Sequence, residues 1–344
     1  MAVKKLPGYK PLCFINRILF LYKKGYVYAL VDDQPLRVLQ VYPNSLKEIN
    51  RFSSRLFRTE PKYAVPVGES KMLLVGHRKM LLVDVESKTV EEVAKSREEF
   101  SDPLNVCVCD GEWVAVWGDY GSNAELDSIN IYGLTMDDKA ERIYSFEKGQ
   151  IRHVHNIIPK NNGGYYIFTG DQEDGAGIYE SDSKFEKIEP VKVGKQQYRA
   201  VIGFDTPEGL LYATDAVNER NYVYLLRTGQ EPIKQFDLNG SCIYGTKVQD
   251  KYYFSTTVEP DENNRGILSW VSKKRGEGIL SDEVYLVSTD EKMHFETVMK
   301  QKKDFLPMKL MQYGSIQFPR GETEELWCYP VAVKQCDGVA VRLE

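Results

Sequence analysis

The chain has 344 residues, with 45 Lys and Arg against 50 Asp and Glu and a formal net charge of -5. That acidic balance argues against a sequence-independent nucleic-acid binder, which needs a basic face to displace counterions from phosphates. Its 22 Tyr, 14 Phe and 26 Gly, with no Pro/Gly/Ser-rich linker, give one strand-and-turn texture from end to end, so residues 1–344 read as a single all-β domain.

The first segment, MAVKKLPGYKPLCF, carries positive charge but lacks the apolar stretch of about 7–15 residues that a secretory signal requires. No apolar run approaches the roughly 18 residues of a membrane span. As written the chain is expected to be soluble and cytoplasmic, and extracytoplasmic if it is a trimmed form. A strand near residues 8–16 is expected to lie beside the C-terminal strands and close a ring, which removes an exposed edge.

From there the chain divides into units of about 44–50 residues holding four short strands each, the size of a β-propeller blade. The boundaries fall at 17–50, 54–100, 102–147, 150–192, 194–238, 240–302 and 306–342. Seven blades is the count, with six or a split terminal blade as alternatives. The register is clearest in FTGDQEDGAGIY, ATDAVNERNYVY and TTVEPDENNRGIL, whose leading acids Asp171, Asp215 and Glu259 are each 44 residues apart. Looser spacing puts His77 of LLVGHRKMLLV and Asp119 of VAVWGDYGSN in the same slot.

Between these landmarks, Cys107 and Cys109 form a C-x-C that is weak zinc evidence, and the six cysteines read as reduced core thiols. The strands RHVHNII, YRAVIGF and CIYGTKV precede the three acids in register. His294, in MHFETV, reads as structural. The runs at Lys273-Lys274-Arg275 and Lys302-Lys303 read as solvated loops.

In a propeller, the innermost strand of each blade starts at the face to which the loop between its second and third strands returns. Inner strands therefore bring Arg152, His153, His155, Gln197, Tyr198 and Arg199 to one channel mouth. The loops bring His77, Asp119, Asp171, Glu173, Asp174, Asp215, Glu219, Arg220 and Glu259 to the same place. His153 and His155 sit at i and i+2 of a strand, with Cβ atoms roughly 6–7 Å apart on one side. They could bind one divalent metal, with His77, Asp171 or Asp119 as third ligand, or divide acid and base roles. The plain alternative is hydrogen bonding within a blade junction. Arg199 offers a fork for a carboxylate, sulfate or phosphate, or else a salt bridge to Asp215 or Asp171. The acids could serve glycoside hydrolysis, or simply solvate and fold their loops. There is no P-loop, no G-x-G-x-x-G after a strand, no G-x-S-x-G elbow and no kinase signature, which leaves nucleotide-dependent and α/β-hydrolase chemistry without a motif.

Two segments, YESDSKFEKI at 179–188 and VSTDEKMHFETV at 287–298, resemble degraded Asp-boxes of sialidase-like propellers. They keep Ser181, Asp182, Ser288 and Asp290 without the glycine, and the resemblance implies outer turns of the fold. The arginine triad and Tyr-Glu nucleophile of a sialidase cannot be mapped. The succession RHVHNI, FTGD, QYRAV, YATD, TTVEP, KKDFLP and GSIQFP resembles uncharacterised propellers of bacterial polysaccharide gene clusters over residues 150–320. That resemblance implies a glycan-related role.

The expected function is a polysaccharide lyase or glycoside hydrolase acting on a uronate-containing saccharide. In the lyase version His153 or His155 abstracts the C5 proton, Tyr198 protonates the leaving oxygen, and Arg199 or Arg220 holds the carboxylate. Arg152, Gln197, Asp171, Asp215, Arg220, Glu259 and Asp119 are the expected substrate contacts. The alternative is a non-catalytic glycan- or protein-binding scaffold, and a lactonase or sulfotransferase is a third class.

Overall fold

A computed structural model describes residues 4–95 and 103–343, so the expected boundary between the second and third blades at 100–102 lies outside the described residues. Tight hairpins set the strand rhythm. Asn16-Arg17, Asp32-Asp33 and His77-Arg78 each place two consecutive residues at positive φ, the conformation whose twist matches paired strands.

Seven four-stranded antiparallel sheets form a ring, a seven-bladed β-propeller. The chain opens with β1 (Lys4–Pro7). Blade 1 holds β2 (Lys10–Ile15), β3 (Ile18–Lys23), β4 (Tyr26–Val31) and β5 (Gln34–Gln40). Helix α1 (Arg51–Phe57) leads to blade 2, with β6 (Tyr63–Pro66), β7 (Lys71–Gly76), β8 (Lys79–Asp84) and β9 (Thr89–Lys95). Blade 3 holds β10 (Cys107–Val108), β11 (Ala115–Gly118), β12 (Ile129–Leu134) and β13 (Ala140–Phe146); blade 4 holds β14 (His153–Pro159), β15 (Tyr165–Gly170), β16 (Gly177–Ser181) and β17 (Ile188–Val193). Blade 5 holds β18 (Ala200–Thr206), β19 (Gly209–Thr214), β20 (Asn221–Leu226) and β21 (Ile233–Leu238); blade 6 holds β22 (Cys242–Val248), β23 (Lys251–Thr256), β24 (Glu283–Thr289) and β25 (Glu296–Lys302). After α2 (Met308–Met311), β26 (Ser315–Gln317), β27 (Leu326–Val331) and β28 (Val339–Leu343) build blade 7.

The fourth strand of blade 7 is β1, paired from Lys4↔Arg342 to Pro7↔Val339. This corrects the expected closing strand at 8–16: Lys10–Ile15 is the inner strand of blade 1, which meets blade 7 through the bridge Cys13↔Arg320 and the packing of Phe14 in that seam. Every blade-to-blade seam is filled by its own apolar cluster, such as the one that holds Met80 and Trp117 between blades 2 and 3 and the one that holds Leu21 and Trp327 between blades 7 and 1. The outermost strands are largely solvent-facing; in β21 only Leu238 is buried. All six cysteines are free. No helix among the described residues is long and apolar enough to cross a membrane.

Two insertions crown one face. Helix α1 is capped by Asn50 and Ser53, which exchange side-chain and backbone hydrogen bonds. It lies across to the closing blade: Arg55 donates to Asp304 at 2.6 Å, to Asp337 at 3.2 Å and to the Met311 carbonyl at 3.0 Å. Arg51 pairs with Glu60 at 2.6 Å and Asp337 at 3.0 Å. Lys303, expected in a solvated loop, is buried beside Asp304 and donates to the Leu306 carbonyl at 3.1 Å. The second insertion is the long loop between β23 and β24, which carries a short turn at Ile267–Trp270.

Candidate functional site

Strand β14 starts at the crowned face and bulges between Val154 and Asn156, at His155. A bulge re-aims the side chain it carries. Here it brings His155 against its neighbour: the two Nε2 atoms are 3.1 Å apart, with both imidazoles buried. Each Nδ1 donates to a main-chain carbonyl at 2.9 Å, His153 to Gly121 and His155 to Ala200. Gly170 makes the seat, since a Cβ there would lie 2.1 Å from Cε1 of His155. Burial, outweighing the neighbouring carboxylate, lowers the pKa of His155 and favours its neutral form.

Asp171 follows β15 directly and reaches both imidazoles, at 3.4 Å from His153 Nε2 and 3.3 Å from His155 Nε2. Arg199, capping a short turn at Gln196–Tyr198, holds the same loop by donating to the Asp171 carbonyl at 2.8 Å. Its Nη2 is 3.3 Å from the Asp171 carboxylate, 3.6 Å from Asp215 and 3.5 Å from Glu262. The carboxyls around this guanidinium titrate in opposite directions. Burial raises Asp171, but the hydrogen bonds and charge of the histidines and the charge of Arg199 prevail and hold it well below the usual carboxylate range. Burial pushes Asp215 well above that range, against the pull of Arg199. Glu259 is raised by burial as well, although Ser241 donates to it at 2.5 Å and Thr257 also hydrogen-bonds to it.

Around these acids stand three tyrosines absent from the sequence expectation. Tyr120 packs on His153 with ring centroids 4.6 Å apart. Burial raises the Tyr120, Tyr244 and Tyr313 hydroxyls above the ordinary phenol range, so all three stay neutral donors. Beside them opens a cavity of about 380 Å³ between the β23–β24 loop and α2, lined by Glu259, Glu262, Trp270, Tyr313, Arg58 and Lys309 among others. Trp270 is 56% exposed.

The remaining expected residues point elsewhere. His77 occupies the equivalent slot after β7, but it forms a hairpin turn, packs at a tilt on Tyr42 with ring centroids 4.2 Å apart and lies 2.6 Å from the Thr59 carbonyl. It is not a member of the His153, His155 and Asp171 cluster, whose ligand atoms all lie within 4.8 Å of one another. Asp119 accepts from the Asn130 amide and side chain at 2.9 and 3.1 Å. Tyr198 is buried in the seam between blades 4 and 5, its hydroxyl 3.3 Å from Glu231, which removes it from the mouth. Gln197 offers its carbonyl to Tyr212 at 3.1 Å. Arg220 faces outward to Asp237 at 3.7 Å. Arg152 is held by the Asn123 carbonyl and Gln172, with Asp174 at 3.9 Å. Asp182 and Asp290 each fold an outer turn by accepting main-chain amides, and His294 donates to Asp290 on that turn.

No protein-family model matches the sequence, and no curated protein matches it. Solved structures match the fold. The extracellular domain of a protein described as a hybrid two component system from B. thetaiotaomicron aligns at TM-score 0.54 and 10% identity over 98% of this chain, which spans 40% of that one. An oligogalacturonate lyase from Vibrio parahaemolyticus aligns at TM-score 0.51 and 9% identity over 99% of this chain and 90% of the other. The computationally designed Ika8 protein aligns at TM-score 0.51 and 8% identity over 97% and 82%.

Proposed function

We propose that the channel mouth cleaves a glycosidic bond of an acidic saccharide by general acid–base chemistry. The observation that carries this reading is the split titration of Asp171 and Asp215 across one guanidinium. Carboxyls whose environments drive their pKa values apart are suited to opposite proton-transfer roles. Asp215, kept protonated by burial, is the proton donor to the leaving oxygen. The cluster of Asp171 with His153 and His155 is the electron-rich side, which takes a proton in an elimination or activates water in a hydrolysis. Trp270 and Tyr313 supply aromatic faces for sugar rings. Arg58 and Lys309 put positive charge at the same cavity, which suits a uronate carboxylate. A propeller of this kind also carries the oligogalacturonate lyase, so the ring accommodates such chemistry.

One observation favours a second reading, binding without turnover. Arg199 Nη1 and both histidine Nδ1 atoms already have main-chain partners, while Ile267, Leu268 and Trp270 stand exposed on the inserted loop. The two readings separate in one experiment. The full chain is incubated with uronate-containing and neutral oligosaccharides, and both unsaturated-product absorbance and new reducing ends are followed. Cleavage of acidic substrates is expected, falling about 100-fold or more in Asp215→Asn, the scale of a lost proton donor. Saccharide binding without any chain shortening would leave the second reading in its place.

A further inference from the structure

We infer that His153, His155 and Asp171 form a binding site for one divalent first-row transition-metal ion with a coordination position open to the channel mouth. A main-chain carbonyl only accepts, so the 2.9 Å contacts of both Nδ1 atoms place a proton on each Nδ1. In the neutral form of each imidazole, Nε2 then turns a lone pair toward the other across 3.1 Å. The third group at this point, the Asp171 carboxylate, stands 3.3 and 3.4 Å from the two nitrogens and also brings only lone pairs. While both imidazoles are neutral, three acceptors face one another with no hydrogen between them, an arrangement that a cation relieves.

The spacing fits that cation. Metal–ligand bonds of about 2.0–2.2 Å at tetrahedral angles hold ligand atoms roughly 3.3–3.6 Å apart, and the three pairs here stand at 3.1, 3.3 and 3.4 Å. Metal-bound histidines characteristically donate their other nitrogen to a carbonyl or carboxylate, as both do here. Two imidazoles and one carboxylate suit zinc, iron or manganese more than calcium or magnesium. The imidazoles are 3% and 1% exposed but the Asp171 side chain is 40% exposed, so the uncovered side of the cluster faces the mouth. Three protein ligands and an open side are the layout of a catalytic rather than a structural site. Gly170 keeps the space that His155 needs. The third ligand is therefore Asp171, where the sequence also allowed His77 or Asp119.

The inference stands on lone-pair geometry and holds whether or not the mouth cleaves a saccharide; if it does, the ion sits on the electron-rich side, where it would hold a uronate carboxylate or a water. The test uses the full chain, treated with a chelator, dialysed and titrated calorimetrically with zinc chloride and with manganese chloride; cobalt(II) absorption serves as a spectroscopic check. One ion per chain is expected. Asp171→Asn, at a partly exposed position that preserves shape, and His155→Asn should each weaken binding by about 100-fold or more, the upper end for a disturbed metal shell. His77→Asn should bind as the parent does. Absence of saturable binding by either ion, or binding unchanged in both ligand variants, overturns the site and leaves a shared proton between the imidazoles. A protein that binds the ion but cleaves no saccharide supports this site while overturning the cleavage reading. Turnover by a protein that binds neither ion does the reverse.

Discussion

Single residues of the mouth were legible where the repeat marks them. The 44-residue spacing selected Asp171, Asp215 and Glu259, and all three surround Arg199 in space or in charge. It failed at Tyr198, because the short turn at Gln196–Tyr198 interrupts strand alternation and rolls the ring into the seam between blades. Tyr120 was hidden for the opposite reason: it directly follows the marked Asp119, and nothing in sequence distinguishes which of two adjacent side chains a loop turns inward. The reading of Asp215 makes a pH prediction. Because burial raises its pKa, the proton-donating form persists above the ordinary carboxylate range, and turnover should fall as pH rises through the raised value. A rate limb that is unchanged in Asp215→Glu would remove Asp215 from that role. Lys10 carries a second prediction, on stability. Its ammonium donates to the Pro61 and Lys62 carbonyls at 2.8 and 3.0 Å, and burial, partly offset by Glu60, lowers its pKa from 10.5 to about 8. Below about 8 both folded and unfolded chains hold the proton and the burial penalty is fully present. Between about 8 and 10.5 the unfolded chain binds more protons, so the penalty fades and stability rises with pH. Urea unfolding of the parent, relative to Lys10→Met, should therefore gain about 2 kcal/mol between about pH 7 and about pH 9.5. A difference flat across that window would refute a depressed Lys10.

At the scale of elements, α1 was invisible because seven residues with a short capping box carry no long apolar period. Its importance comes from where its arginines land. Arg55 is 4% exposed and bridges Asp304 and Asp337, so the linker between blades 1 and 2 is tied to blade 7 and to the linker before it. Removing one partner of a buried ionic group strands the others, a loss of about 3–5 kcal/mol. Arg55→Met should lower unfolding stability by that order, and adding Asp304→Asn should recover part of it, since the two losses share one interaction. Strictly additive losses would mean that the pair is not coupled. The β23–β24 insertion showed in the sequence only as the extra length of the unit at 240–302. It lengthens blade 6 beyond its neighbours, so Trp270 has no equivalent in another blade against which to be recognised.

At the scale of the molecule, the blade count was readable because blades 4 to 6 repeat both their inner strands and their acidic loops. The starting point slipped by one strand because blade 1 turns from β3 to β4 through Lys24-Gly25, with no acid to mark the slot. The ring itself predicts that deleting residues 1–8 uncovers the edge of β28 from Val339 to Arg342. Unpaired edges recruit other strands. The truncated chain should run as larger species on size exclusion and unfold at lower urea; a monomer of parental stability would show that β1 is dispensable.

The pairing of β1 with β28 also imposes a timetable. Six sheets are assembled from strands that follow one another in the chain, so each can form soon after it is synthesised. The seventh joins the ring's first strand to its last, and until β28 exists β1 has no partner in its sheet. Contacts between distant parts of a chain form slowly because loop closure precedes their reward. Completion of the ring is thus the natural rate-limiting event in its biogenesis, and the two unmatched edges of the unfinished ring are the surfaces that a chaperone would have to guard.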